Sequence, residues 1–177
     1  MILYNIIIHL IGFAIKIASI KKAKAKLWVD GRKNWQQHLL EKIKQLNTKE
    51  LAWFHCSSYG EFEQGKPLIE AFRVKYPHYK ILLTFYSPSG YEAFKNWQGA
   101  DVVFYLPLDT RSNVKNFLST VKPKIVFFIK YEFWLNYLNQ LKEQAIPTSI
   151  ISAVFKPRHP FFKWYGSAYR KALNTFT

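Results

Sequence analysis

Three short stretches carry the residue types that do chemistry. The first is Ser57-Ser58-Tyr59-Gly60-Glu61, which follows an apolar run beginning at Leu51. An acid at such a strand-to-helix turn is either a helix cap or a working group, and the work open to a carboxylate is proton transfer. Ser58-x-x-Glu61 matches a capping box. Against plain capping, Pro67 would fall inside a helix begun at Ser58, where it removes a backbone bond at a cost of roughly 3 kcal/mol. A helix starting nearer Pro67 would leave Glu61 in the loop or in a loose first turn. The second stretch is Thr84-Phe-Tyr-Ser-Pro-Ser-Gly-Tyr91. Ser87-Pro88 opens a turn there, and Ser89 can cap the next helix with Glu92 at its third position. The alternative to plain capping is an anion site built from the backbone N–H groups of that helix start. The third is Lys130-Tyr-Glu-Phe-Trp-Leu-Asn136, in which Lys130 and Glu132 leave a strand together, as an ion pair, a cap or part of a site.

Each stretch needs a scaffold, and the chain supplies one in strand–helix alternation from Leu51 onward. Strand candidates are 51–57, 80–86, 101–106, 124–130 and 147–153, short apolar runs rich in β-branched and aromatic residues. Strands buried on both faces read this way. Helices are expected at about 66–75, 89–97, 111–120, 132–144 and 162–175. The fold class is α/β, a Rossmann-like open parallel sheet with flanking helices. In such sheets ligands sit beyond the carboxyl ends of the strands, where all three stretches fall.

Ahead of the sheet, residues 1–20 are mostly apolar, interrupted by Asn5, His9 and Lys16 and followed by Lys21, Lys22, Lys24 and Lys26. The run is marginal against the roughly 20 residues a spanning helix needs. A secretory signal would carry its positive charge before the apolar run. Residues 1–26 are therefore expected to be a membrane-anchor helix, spanning or lying in the interface, with a polybasic collar on the cytoplasmic side. The alternative is an amphipathic helix packed on its own domain. A turn-bearing segment over 27–35 and a polar helix over 36–47 precede the sheet, with Arg32 and Lys33 placed either to meet phosphates or to be solvated.

Hydrophobic residues make up 49% of the 177, which argues against a disordered chain. The net charge is +15, and it lies in the flanks. Residues 1–50 hold ten Lys/Arg against three acids, residues 155–177 five against none, and the middle 104 residues eleven against eight. Basic flanks suit an anionic lipid surface or nucleic acid. The near-neutral middle and the apolar N-terminus count against a nucleic-acid-binding module. Cys56 has no partner for an internal disulfide and lies in a predicted buried strand, where cysteine is usually structural. His9, His38, His55, His78 and His159 show no metal-ligand spacing, and no metal site is expected. Neither GxGxxG nor GxxxxGK[ST] occurs, and neither does GxSxG.

Taken in order, Gly31-Arg32, Ser57-Ser-Tyr-Gly-Glu61, Thr84-Phe-Tyr-Ser-Pro-Ser-Gly90, Leu106-Pro-Leu-Asp109 and Lys130-Tyr-Glu-Phe-Trp134 resemble the N-terminal half of the 3-deoxy-D-manno-octulosonic acid (Kdo) transferases of lipopolysaccharide assembly. The resemblance implies the first half of a GT-B glycosyltransferase that moves Kdo from CMP-Kdo to a lipid A precursor at the cytoplasmic face of the inner membrane. It makes Glu61 the catalytic base. Ser58, Gly60, Ser87, Ser89, Lys130 and Glu132 become substrate contacts in the same cleft. No cofactor is implied, and the donor CMP-Kdo would be bound mainly by a C-terminal domain absent from this chain, which alone is expected to be inactive. The chain departs from the family pattern at Lys130, where many members carry an acid, and at Leu135, where many carry proline.

Overall fold

The computed structural model describes residues 1–130, 133–154, 162–163 and 166–176. Five parallel strands form one sheet: β1 (Leu51–Cys56), β2 (Lys80–Phe85), β3 (Val102–Tyr105), β4 (Ile125–Ile129) and β5 (Thr148–Ile151), in the order β3-β2-β1-β4-β5. The strands sit within a residue or two of the sequence reading. Parallel pairing requires crossover helices, and these are α4 (Tyr59–Lys75), α5 (Pro88–Phe94), α6 (Arg111–Val121) and α7 (Leu135–Glu143). Three helices precede the sheet, α1 (Ile2–Ala18), α2 (Ala23–Asp30) and α3 (Trp35–Leu46), and α8 (Ser167–Leu173) follows it. The turn-bearing segment expected over 27–35 also contributes half of α2, because the Lys22–Asp30 run has no Gly or Pro to stop it before Gly31.

Every residue of β1 is buried, and side-chain alternation splits it between two cores. Leu51 and Trp53 face α3, α6 and α7 together with Phe117, Phe128 and Tyr137. Ala52, Phe54 and Cys56 face α4 with Phe62, Ile69 and Phe72. Trp53 is the largest of the fully buried side chains, ringed by Phe117, Phe128 and Tyr137 at 4.9–5.6 Å. Truncating such a residue to Ala costs about 3–5 kcal/mol.

The chain winds from β1 through β2 to β3 in one direction and from β4 to β5 in the other. The strand order therefore reverses between β1 and β4, the place where open α/β sheets form a ligand crevice. The register pairs His55 with Phe128. Two residues further on, Ser57 and Lys130 leave the sheet at the same level, one on each side of the reversal.

α1 packs one face on the domain, with Ile8 and Gly12 buried. Gly12 lets α1 approach closely, since a Cβ there would meet Leu108 Cδ2 at 2.6 Å and push that side chain aside. The other face leaves Ile2, Leu3, Ile6, Leu10, Phe13 and Ile17 exposed. Among the described residues no helix is long and apolar enough to cross a membrane.

Candidate functional site

α4 begins at Tyr59, not near Pro67, and runs unbroken through the proline. Pro67 and Glu63, whose carbonyl loses its helical partner, are both exposed, so water can replace the missing bond. Glu61 accordingly sits at the third helical position in a complete capping box with Ser58. Its Oε2 accepts from the backbone N–H of Ser58 at 3.2 Å and from that of Ser57. Capping and chemistry are compatible here, because a carboxylate has about four lone-pair sites. Two amide donors fix the half-buried carboxylate in place at the positive end of a 17-residue helix.

Gly60, one residue earlier, is helical, and no glycine in the described chain has a positive φ. A Cβ on Gly60 would meet nothing within 4 Å. Neither backbone conformation nor packing within the domain explains a glycine there. Open space lies over the residue immediately before Glu61, as the backbone needs for close approach of a ligand.

The second loop is tied to the first by the Ser87 N–H, which donates to the Ser57 carbonyl at 2.7 Å. Ser87, not Ser89, caps α5, because Pro88 takes the first helical position, where its missing N–H costs nothing. The Ser87 side chain accepts from the Ser89 N–H at 3.4 Å, and the two hydroxyl oxygens lie 3.0 Å apart. Glu92 does not return to the cap. It binds Lys95 at 2.7 Å and accepts from the Tyr105 hydroxyl at 3.3 Å.

On the third loop Lys130 is half-buried in the left-handed region at φ 64°, with its N–H donating to the Ile151 carbonyl at 2.7 Å. A non-glycine residue there costs about 1–2 kcal/mol. Glu132 lies outside the described residues. Trp134 ties the loop inward, its indole N–H donating to His55 Nε2 at 3.2 Å. With Nε2 accepting, Nδ1 carries the hydrogen and meets Thr84, 2.9 Å from Oγ1 and 3.1 Å from the carbonyl. His55 is thus a satisfied core residue.

Two residues matter here that the sequence reading left aside or left open. Arg32, open between phosphate contact and solvation, is half-buried with its charge engaged by the protein. Its guanidinium donates to the carbonyls of Leu106, Trp28 and Tyr86 at 2.8–3.0 Å. Asp109 closes the Leu106-Pro-Leu-Asp109 motif and is fully buried. Its carboxylate accepts from the Tyr4 hydroxyl and from the N–H groups of Asn136 and Tyr137 at 3.1 and 3.0 Å, while Asn136 also donates to Asn5 at 2.8 Å. Burial pushes the Asp109 carboxyl up to about 7, opposed by Tyr4 and the two amides. The short motif was the available signal, but its partners come from α1 and α7, far away in the chain.

The structure therefore gathers Ser58, Gly60, Glu61 and Ser87 with Ser89 at one corner, and puts Lys130 across the reversal at the same height. Among the described residues no cluster of three His, Cys, Asp or Glu could hold a metal ion.

A Rossmann-like parallel sheet with a capped carboxylate at its strand-order reversal defines an α/β domain with a ligand crevice. Comparison with known proteins narrows this. The chain belongs to the 3-deoxy-D-manno-octulosonic-acid transferase (kdotransferase) family, whose model matches residues 33–177. It is 34% identical over 107 residues to the 3-deoxy-D-manno-octulosonic acid transferase of Haemophilus influenzae, covering 60% of this chain and 25% of that one. It is 26% identical over 146 residues to a bifunctional glycosyltransferase/methyltransferase of Fusobacterium nucleatum, covering 80% and 22%. The 3-deoxy-D-manno-octulosonic acid transferase of Chlamydophila psittaci is 29% identical over 135 residues, covering 73% and 31%. The chain thus spans 22–31% of the length of these relatives. Among solved structures, UDP-GlcNAc 2-epimerase from Neisseria meningitidis bound to UDP-GlcNAc is a loose likeness, with a TM-score of 0.45 at 16% identity over 71% of this chain and 37% of that one.

Proposed function

We propose that this chain is the acceptor-binding half of a GT-B glycosyltransferase that moves Kdo from CMP-Kdo to a lipid A precursor, with Glu61 as its base. The observation that carries the reading is the placing of Glu61: fixed by two amides at the strand-order reversal, directly after a glycine whose side is open. Glu61 accepts the proton of an acceptor sugar hydroxyl as that oxygen bonds to the anomeric carbon of Kdo. The bond from that carbon to the phosphate oxygen breaks, and CMP departs with the electron pair. Ser58, Gly60, Ser87 and Ser89 line the acceptor side, and Lys130 supplies a positive charge for a phosphate or carboxylate. Glu132 is a further substrate contact in this reading.

CMP-Kdo is bound mainly by a further domain of the full-length protein, so this chain by itself does not transfer. The exposed apolar face of α1 and the lysines at 21, 22, 24 and 26 support a position on an anionic lipid surface, which this reading takes to be the cytoplasmic face of the inner membrane. The test is Glu61→Gln in the full-length enzyme, assayed with CMP-Kdo and a lipid A precursor. Transfer falls at least a thousandfold with an unchanged unfolding midpoint. Turnover within tenfold of the wild type would remove Glu61 as the base.

A further inference from the structure

Arg32 is an unusual charge, half-buried in the domain with no acid among its hydrogen-bond partners. Its guanidinium lies over the rings of Trp28, Tyr105 and Tyr86, at 3.9, 4.7 and 5.1 Å from their centroids. Its hydrogen bonds go to three backbone carbonyls drawn from three separate segments: α2, the loop after β2, and the loop after β3. No carboxylate appears among these partners. Burial pulls its pKa down to about 9, opposed by the neighbouring tyrosines, which still leaves the group charged at neutral pH. The indole N–H of Trp28 beside it is buried without a hydrogen-bond partner.

Both features work against stability. A buried charge is ordinarily paired, and an orphaned buried donor is costly. A lysine could not replace the group, because only a planar fork reaches three acceptors in three directions while stacking on rings.

The hydrogen bonds of Arg32 lead to Glu61 in three steps. Nη2 donates to the Tyr86 carbonyl at 2.8 Å. The next residue along, Ser87, donates its N–H to the Ser57 carbonyl at 2.7 Å. Ser57 in turn donates its N–H to Glu61 Oε2. The Tyr86 ring also packs on Trp134 at 4.6 Å, so the same residue touches the loop that follows Lys130.

We propose that Arg32 is a positioning residue for the transfer reaction: it clamps the loop after β2 against the loop after β1 and so sets where the Glu61 carboxylate stands. The proposal deepens the reading of Glu61 as the base and rests on it. Arg32 touches no substrate. It acts through the Tyr86 carbonyl, and misplacing a reacting group by about 1 Å costs on the order of a hundredfold in rate.

The experiment compares Arg32→Lys, Trp28→Leu and Glu61→Gln with the wild-type full-length enzyme. It measures kcat, the KM for CMP-Kdo, the unfolding midpoint, and hydrogen exchange at the Ser57 and Ser87 amides. In Arg32→Lys, kcat falls tenfold to a hundredfold while the KM for CMP-Kdo stays within threefold. The Ser57 and Ser87 amides lose protection, and those of Phe54 and Leu83 in the strands keep theirs. Trp28→Leu keeps the guanidinium and removes one ring of the cage, and gives a smaller loss of kcat in the same sense. The proposal is overturned if Arg32→Lys retains kcat within threefold. It is equally overturned if strand and loop amides lose protection together, so that lost activity only tracks lost folding. If Arg32→Lys does not fold, Trp28→Leu decides by the same two readouts. An active Glu61→Gln would sink the base assignment itself, whereas an inactive Glu61→Gln beside a normal Arg32→Lys sinks only the role of Arg32.

Discussion

The two edges of the sheet handle charge in opposite ways. At the amino edge, Lys49, Lys122 and Lys124 rim a cleft beside Pro123 and Pro147, and all three lysines are exposed. Asp101 at that edge is met by Arg73 at 3.4 Å and Lys80 at 3.3 Å, so each charge faces an opposite one or water. At the carboxyl edge, Asp109 is buried and Arg32 half-buried, and both are satisfied by backbone groups and hydroxyls. The first arrangement leaves its three lysines in water and pins only the start of β3, where Asp101 accepts from the Ile81 N–H at 2.8 Å. The second is costly in desolvation, and it ties α1, α2, the loops after β2 and β3 and the start of α7 to one another. A domain whose work lies beyond the ends of its strands would concentrate rigid polar contacts at that edge and leave the other to solvent.

Substitutions at the two edges test that contrast. The largest effect is that of Glu61→Gln on transfer by the full-length enzyme. Next comes Gly60→Ala. With nothing within 4 Å of the added Cβ and a helical backbone, this change should raise stability by about 0.5–1 kcal/mol. The same methyl enters the open space beside Glu61 and lowers transfer at least tenfold. Kinetics and thermal melting on one sample must move in opposite directions. A Gly60→Ala enzyme with normal turnover would mean that no substrate approaches there.

Asp109→Asn comes third. An amide cannot accept from all three of its donors, and each buried bond lost costs about 1–3 kcal/mol, so calorimetry should show a midpoint several degrees lower. A smaller effect is the pH dependence of the wild type. The Asp109 carboxyl is raised to about 7 in the folded protein against about 4 when unfolded. Between those values the folded state keeps a proton that the unfolded state releases. The contribution is complete below about pH 4 and is lost as pH rises through 7. The midpoint should therefore fall between pH 5 and pH 8, and Asp109→Asn should flatten that slope. The smallest effect belongs to the amino edge. Replacing Lys49, Lys122 and Lys124 together by Ala should change transfer by less than twofold and leave the melting curve in place.

The sheet was legible because its signal is local: each strand is a short apolar run between turns, and alternation along β1 already divides the cores. Glu61 was legible only as an alternative, since Ser58-x-x-Glu61 spells a cap with or without chemistry. Pro67 argued for a later helix start because its cost is read from the chain alone, whereas its exposure on α4 is a property of the packed domain. The roles of Arg32 and Asp109 were not legible. The Arg32 bonds run to carbonyls 54 and 74 residues away, and no side-chain pattern announces a carbonyl. The Asp109 hydroxyl partner, Tyr4, is 105 residues distant.

The position of β1 at the centre of the sheet bears on how the molecule is made. One of its edges pairs with β2, the next strand in the chain, and the other with β4, two strands later. Pairing at long sequence separation must overcome loop-closure entropy first and is slow. During synthesis from the N-terminus, β1, β2 and β3 can assemble while the β4 edge of β1 stands open to pairing with other chains. The crevice between Ser57 and Lys130 therefore cannot form until the chain has been synthesised past Ile129, and until then the half-built sheet keeps an open edge exposed to aggregation.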